Sequence, residues 1–213
     1  VIRTLALIKR RADLTRDAFR EHYEEVHVPL ARPLLGGLTR YVRHHVVAEP
    51  LGAFGHDVLT AFEYRDADAA HAVLQTLESE AGRAVREDEL TFMEKTQNTF
   101  FAVSERRLLD GEEGSEHLFV LVRRPPEVNR FDASKRMMRD HAPRLLAGFD
   151  AVHFALLRDA FPVAERPLAW DAVLQVRADA YPGLEPWAAS MRASGYEVAA
   201  ARTRAFESRL EGA

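Results

Sequence analysis

The chain carries an internal repeat. Leu5-Ala-Leu-Ile-Lys-Arg10 lies over Phe119-Val-Leu-Val-Arg-Arg124 at a spacing of 114 residues, and the same ungapped spacing places His27 on His141, Pro29 on Pro143, Asp57 on Asp171 and Phe92 on Phe206. A repeat of this length is one supersecondary unit used twice. The 213 residues then divide into a first unit over 1–105, a linker over 106–116 and a second, diverged unit over 117–213. The linker string RRLLDGEEGSE has the Gly and acidic content of an exposed connection.

Within the first unit, Arg3 to Lys9 is an apolar run that reads as a buried strand, and Thr15 caps a helix with Asp17 in its first turn. Phe19, Tyr23, Val26 and Leu30 recur at helical spacing and predict that helix's core-facing stripe. Strands follow over Leu38 to Val47 and Asp57 to Tyr64, separated by a Pro and Gly-containing loop from Glu49 to Gly55. Ala67 to Leu77 reads as helix, the segment to Met93 as irregular or weakly helical, and Asn98 to Val103 as a closing strand. This order is the split βαβ, or ferredoxin-like, unit. The second unit repeats it with strands near His117 to Arg124, Asp150 to Arg158 and Trp170 to Ala178, and helices near Asp132 to Leu146 and Leu184 to Arg209. At the spacing of 114 the counterpart of Asn98 falls at the chain's last residues, so two expectations stand: the second unit lacks its last strand, or the native chain runs beyond Ala213.

A four-stranded sheet with helices on one face leaves its other face apolar and open. Two such sheets packed face to face would cover each other, and fusion makes the pairing internal. The expected fold is therefore α+β: two ferredoxin-like βαββαβ units forming a dimeric α+β barrel as an internal pseudo-dimer, with further homo-oligomerisation left open.

Composition narrows the chemistry. There is no cysteine, which excludes disulfides, thiolate nucleophiles and zinc-thiolate sites. With 29 basic and 33 acidic residues the net charge is -4, so no field draws in a phosphate backbone, and no nucleic-acid partner is expected. The apolar runs are too short for a membrane span and the first residues carry no signal-like run, so a soluble, cytoplasmic protein is expected. No GxGxxG, P-loop or GxSxG string occurs. No HxxxH or HExxH occurs either; His22 and His27 diverge at five residues' spacing, and no metal site is expected.

Phe19-x3-Tyr23-x3-His27-Val-Pro29-Leu30, then Gly37-Leu38-x2-Tyr41-Val42, then His56-Asp57, resembles the EthD-like family of dimeric α+β barrel proteins. Phe100-Phe-Ala-Val-Ser-Glu105 is similar to that family's closing strand and terminal acid, so the resemblance covers essentially the first unit. The second unit keeps His141-Ala-Pro143 and Trp170-Asp171 but lacks the Phe and both Tyr. The resemblance implies a small enzyme that works without a cofactor on an aromatic or polyketide-like small molecule. Its superfamily includes polyketide cyclases, muconolactone isomerases, dehydratase-like proteins and quinone-forming monooxygenases.

The residues themselves support part of this. Tyr23 and His27 lie four apart on one helix face, and a partly buried neutral imidazole beside a phenol suits enolisation, dehydration or aldol cyclisation. The other role open to His27 is to hold the helix end by donating to a carbonyl freed by Pro29. Tyr41, Arg43 and His45 alternate with Val42 and His44, so the adjacent histidines face opposite sides of a strand. Tyr41 is a candidate enolate partner and Arg43 a candidate anion contact; cross-strand packing and a surface charge are the alternatives. His56 and Asp57 are candidates to support the base, Asp57 alternatively capping a turn. Tyr23, Phe62 and Tyr64 are candidates to line a flat substrate's pocket or to pack the core, with His141, Asp171 and Trp170 as second-unit equivalents. Three functions follow: acid-base cyclisation, isomerisation or dehydration; cofactor-free oxygenation of a phenol to a quinone; and binding of a hydrophobic small molecule without turnover.

Overall fold

The structure, a computed structural model, describes residues 1–111, 114–147, 154–162, 168–177, 184–208 and 210. Its contacts divide into two units. The first takes Val1–His45, Gly55–Ala102 and the chain from Phe206; the second takes Val46–Phe54 and Val103–Ala205.

In the first unit, β1 (Ile2–Ile8) pairs antiparallel with β3 (Val58–Tyr64) and with β4 (Thr99–Asp110), while β2 (Leu38–Leu51) pairs with the other edge of β3. The order β4-β1-β3-β2 is that of the split βαβ unit. Register Tyr41↔Phe62, Arg43↔Thr60 and His45↔Val58 puts these six side chains on one face. That face is covered by α1 (Arg16–His22), α2 (Val28–Ala31), α3 (Ala67–Glu78) and α4 (Arg83–Phe92). Thr15 caps α1 by accepting from the Ala18 N–H at 3.1 Å, and Asp66 caps α3 by accepting from Ala69 at 2.8 Å. The core between helices and sheet holds Phe19, Tyr23, Val28, Ala31, Tyr41, Val58, Tyr64 and Phe92.

Between α1 and α2, Tyr23–His27 forms a π-helical turn in which the Val28 N–H bonds the Tyr23 carbonyl, five residues back. The extra residue re-phases the buried stripe. Phe19 and Tyr23 are buried as expected, but Val26 and Leu30 face solvent at 47% and 37% exposure, and the stripe continues through His27, Val28 and Ala31 instead.

The second unit builds the same order, β8-β5-β7-β6, from β5 (Glu116–Arg123), β6 (Phe154–Pro162), β7 (Ala172–Arg177) and β8 (Glu197–Ser208). Its helices are α5 (Arg130–Arg136), α6 (Ala142–Leu146) and α7 (Leu184–Ala193), and Met137–His141 between α5 and α6 is again a π turn. Pro29 and Pro143 each follow their turn and have no N–H to continue the ladder.

Six sequence expectations change. The last strand of the second unit is present: β8 pairs with β5 from Glu116↔Arg204 to Arg123↔Glu197. The helix expected over Leu184 to Arg209 ends at Ala193, where Gly195 takes φ +83° and turns the alanine-rich remainder into strand. The pairing of Phe92 with Phe206 is thereby coincidental, since Phe92 ends α4 and Phe206 lies in β8. The expected linker shrinks as well. Residues 106–110 belong to β4, with Leu108 and Leu109 packed on the second unit's core, and Gly114 at φ +68° lies before β5. The loop set to begin at Glu49 begins after Leu51, and the segment before Met93 is the regular helix α4. The expected strand start at Asp150 lies outside the described residues.

Candidate active site

The polar residues of the first unit gather around the π turn. His27 is 5% exposed and its Nδ1 lies 2.8 Å from Asp88 Oδ2. His22 Nε2 lies 2.8 Å from the other oxygen, Asp88 Oδ1. Five positions apart in an α-helix two side chains diverge; the wider turn brings these two onto one face, so the expected divergence of His22 and His27 does not occur. A carboxylate only accepts, so Nδ1 of His27 carries the proton and Nε2 is left with the lone pair. Burial holds His27 below the ordinary imidazole pKa, although the Asp88 hydrogen bond pulls the other way.

Tyr23 lies edge-on to His27, ring centroids 5.2 Å apart, and its hydroxyl is 3.2 Å from Thr60 Oγ1. Burial pushes the Tyr23 phenol up to about 12 and Tyr41 well above the ordinary value, so both are protonated donors. Phe62 stacks on Tyr41 at 5.2 Å and on Tyr64 at 6.4 Å, making an aromatic ladder on the helix-facing side.

Arg43 is neither a surface charge nor a free anion contact. It is 3% exposed, its Nε bonds Glu24 Oε1 at 3.2 Å, and its Nη1 bonds the Tyr41 carbonyl at 3.1 Å and Ser208 Oγ at 2.8 Å. Its guanidinium sits 4.6 Å from the Tyr41 ring centroid. Glu24 also accepts from His45 Nε2 at 2.7 Å. Burial works to raise the Glu24 pKa, but the hydrogen bonds from His45 and Arg43 outweigh it and the carboxyl lies below its ordinary range.

The structure therefore brings together His27, Tyr23, Tyr41, Arg43, Phe62 and Tyr64. His56 and Asp57 stand apart. His56 Nε2 is 3.2 Å from the Gln97 carbonyl, and Asp57 receives the Arg10 backbone N–H at 3.1 Å, Arg10 Nε at 3.1 Å and Arg16 Nε at 3.2 Å. Asp57 is a buried clamp joining the end of β1 to the start of α1. Asp171 repeats it with the Arg124 N–H at 2.9 Å and Arg124 Nε at 3.2 Å. His141 has Tyr196 edge-on at 5.2 Å, and Trp187 Nε1 donates to its carbonyl at 3.0 Å; Trp170 instead packs under Arg123, 5.0 Å from its ring centroid. Asp88, Glu24 and His45 are absent from the sequence-based site. Two carboxylates and a histidine on separate elements have no spacing that announces them. Among the described residues no group of three or more His, Asp or Glu is placed to hold a metal ion.

The segment that holds both histidine–carboxylate pairs, residues 11–96, matches the family model of the EthD domain. Residues 11–96 are an EthD domain. Among curated proteins no sequence match was found. Among solved structures, an anthrone oxidase-like protein is 12% identical over 100% of this chain and 96% of that one, with a TM-score of 0.60. A candidate monooxygenase of Fusobacterium nucleatum subsp. nucleatum is 10% identical over 98% and 97%, with a TM-score of 0.54. A candidate chlorite dismutase is 12% identical over 95% of each chain, with a TM-score of 0.51. At these identities the likeness is one of fold, and it runs past the EthD domain to the whole chain. No described helix is long and apolar enough to cross a membrane.

Proposed function

We propose that this chain is an enzyme that needs no cofactor and works by proton transfer on a polyketide-like or other cyclic enone or aromatic small molecule, cyclising, isomerising or dehydrating it. The observation that carries the reading is the EthD domain's neutral, buried His27, fixed in one tautomer by Asp88 and set against Tyr23. His27 takes the proton from the carbon acid through Nε2 and returns it later. Tyr41, kept protonated by burial, is the group that meets the developing enolate oxygen. Phe62 and Tyr64 supply flat apolar contact. The two units are diverged copies of one ancestral unit, of which the first keeps the chemistry. His27→Gln should cut turnover by about 10²–10⁴-fold with the thermal midpoint held nearly constant; a folded, fully active variant refutes the assignment.

A second reading is favoured by the whole-chain fold likeness to an anthrone oxidase-like protein. In it His27 deprotonates a phenol or anthrone-type carbon acid and the resulting carbanion reacts with oxygen. Oxygen uptake with anthrone as the supplied substrate separates the two: uptake abolished by His27→Gln selects oxygenation, and product formation without uptake selects the first reading. A ligand recovered chemically unchanged in every case would leave only a binding protein.

A further inference from the structure

We propose that His45 is a second proton-accepting group of the EthD domain, acting through Nδ1, and that it receives a phenolic or enolic hydroxyl. The inference rests on the acid-base reading above but uses different atoms and a different carboxylate.

Arg43 grips Glu24 with both Nε and Nη2. Glu24 is thus held as an ionised acceptor, and the proton shared at 2.7 Å with His45 belongs to Nε2 of the ring. A neutral His45 then bears its lone pair on Nδ1. That atom is buried and has no hydrogen-bond partner among the described residues, and the residue as a whole is 2% exposed. A buried nitrogen lone pair without a donor is costly, so it persists where something is gained from it. The rings nearest it offer none: Phe19, Tyr23 and Phe206 lie 6.2, 5.5 and 5.3 Å away by centroid, the last two at 89° to it. The Tyr23 hydroxyl is engaged by Thr60.

The second unit shows that the fold does not require this group. Where the first unit pairs Tyr41↔Phe62, Arg43↔Thr60 and His45↔Val58, the second pairs Ala155↔Val176, Leu157↔Leu174 and Asp159↔Ala172. Met138 stands where the first π turn has Glu24. The same strand register and the same wide turn are therefore built with no arginine, no glutamate and no histidine at these places. Leu157 and Met138 replace Arg43 and Glu24 with apolar groups, and Asp159, at the place of His45, is taken up by Arg106 and Ser134, so a buried ring nitrogen without a partner at this place is particular to the first unit and not a requirement of the fold.

The ligand chemistry follows from the surroundings. An acceptor nitrogen inside an aromatic enclosure takes a weakly acidic O–H on a flat apolar group. The O–H bond breaks as the Nδ1–H bond forms, the oxygen keeps the electron pair, and the imidazolium is neutralised by Glu24. His27 presents Nε2 and His45 presents Nδ1, with Tyr23 lying against both rings at 5.2 and 5.5 Å. The two bases have separate carboxylates, Asp88 and Glu24, so each can be removed alone.

The test uses the full chain with 15N-labelled histidine and 4-nitrophenol as the probe, whose anion is coloured. At neutral pH His45 should carry its proton on Nε2. Adding 4-nitrophenol should move the His45 Nδ1 resonance and shift the probe's visible band toward that of the anion. Both responses should vanish in His45→Gln, weaken at least tenfold in Glu24→Gln, and survive in His27→Gln. A proton found on Nδ1, an Nδ1 resonance that the probe does not move because only an ordered water sits there, or a colour response that persists in His45→Gln each overturns the proposal. Loss of turnover in His27→Gln with no probe response at His45 would leave the enzymatic reading standing and sink this one. If His45→Gln does not fold, Glu24→Gln decides, since its carboxamide keeps the shape and removes the charge.

Discussion

At the residue scale, Asp57 and Asp88 reverse the order of importance that the sequence assigns them. Asp57 recurs in the second unit as Asp171 and opens a strand beside a histidine, which made it a candidate to support the base. Its side chain is 1% exposed and spent on Arg10, Arg16 and Lys9. Asp57→Asn should therefore destabilise the protein by about 3 kcal/mol, the scale of a buried ion pair that loses one partner, while the folded fraction retains its activity. Urea unfolding together with turnover per folded molecule checks both halves. Asp88 has no sequence signature, yet it fixes the tautomer of His27. Replacing it with Asn removes a hydrogen bond and a charge that both favour the imidazolium. In Asp88→Asn the His27 pKa should fall below its wild-type value in an NMR titration; an unchanged or higher value would show that Asp88 does not act on His27.

At the scale of elements, the strands of the first unit were legible because alternation and β-branched content survive any tertiary context, and Tyr41, Arg43 and His45 share a face as the period of two requires. The helix carrying His27 was legible in its start and not in its phase. Phe19 to Leu30 obeys helical spacing throughout, and nothing in those residue types marks the one-residue widening that exposes Val26 and buries His27. Residues 197–208 fail for the opposite reason: alanine content reads as a continuation of the helix, whereas pairing with β5 and the turn at Gly195 decide for strand. Asp88 depends on α4, and α4 depends on the tight junction that follows α3. There a Cβ on Gly82 would lie 2.1 Å from the Leu77 carbonyl oxygen, which cannot move without breaking the end of α3. Gly82→Ala should cost about 2 kcal/mol by overpacking and should displace α4. It should thus weaken the Asp88–His27 pairing even though residue 82 touches neither. A thermal midpoint and an NMR-detected His27 titration, both unchanged, would contradict that coupling.

At the scale of the molecule, one chain holds two units of the same strand order, and among the described residues only the first holds the Glu24–Arg43–His45 cluster. That asymmetry sets how the protein as a whole answers acid. His27 and His45 are both driven below their ordinary value of 6.5 by burial, and Glu24 lies below its ordinary 4.5 because His45 and Arg43 outweigh burial. For the histidines the unfolded chain binds protons at higher pH than the folded one, so stability is complete above the unfolded value and is lost as pH falls from there through the folded values. Glu24 adds a second loss in the same direction at lower pH, below its unfolded value. The urea midpoint should therefore fall steadily from about pH 7 to pH 5, and the slope should flatten when His27 and His45 are both replaced by Gln. His141, also lowered by burial, contributes to the same window without the Glu24–Arg43 cluster. His141→Gln should flatten the slope less and leave turnover unchanged. A midpoint independent of pH across that window would mean that the buried histidines are as easily protonated in the folded chain as in the unfolded one, and a neutral His27 would lose its basis.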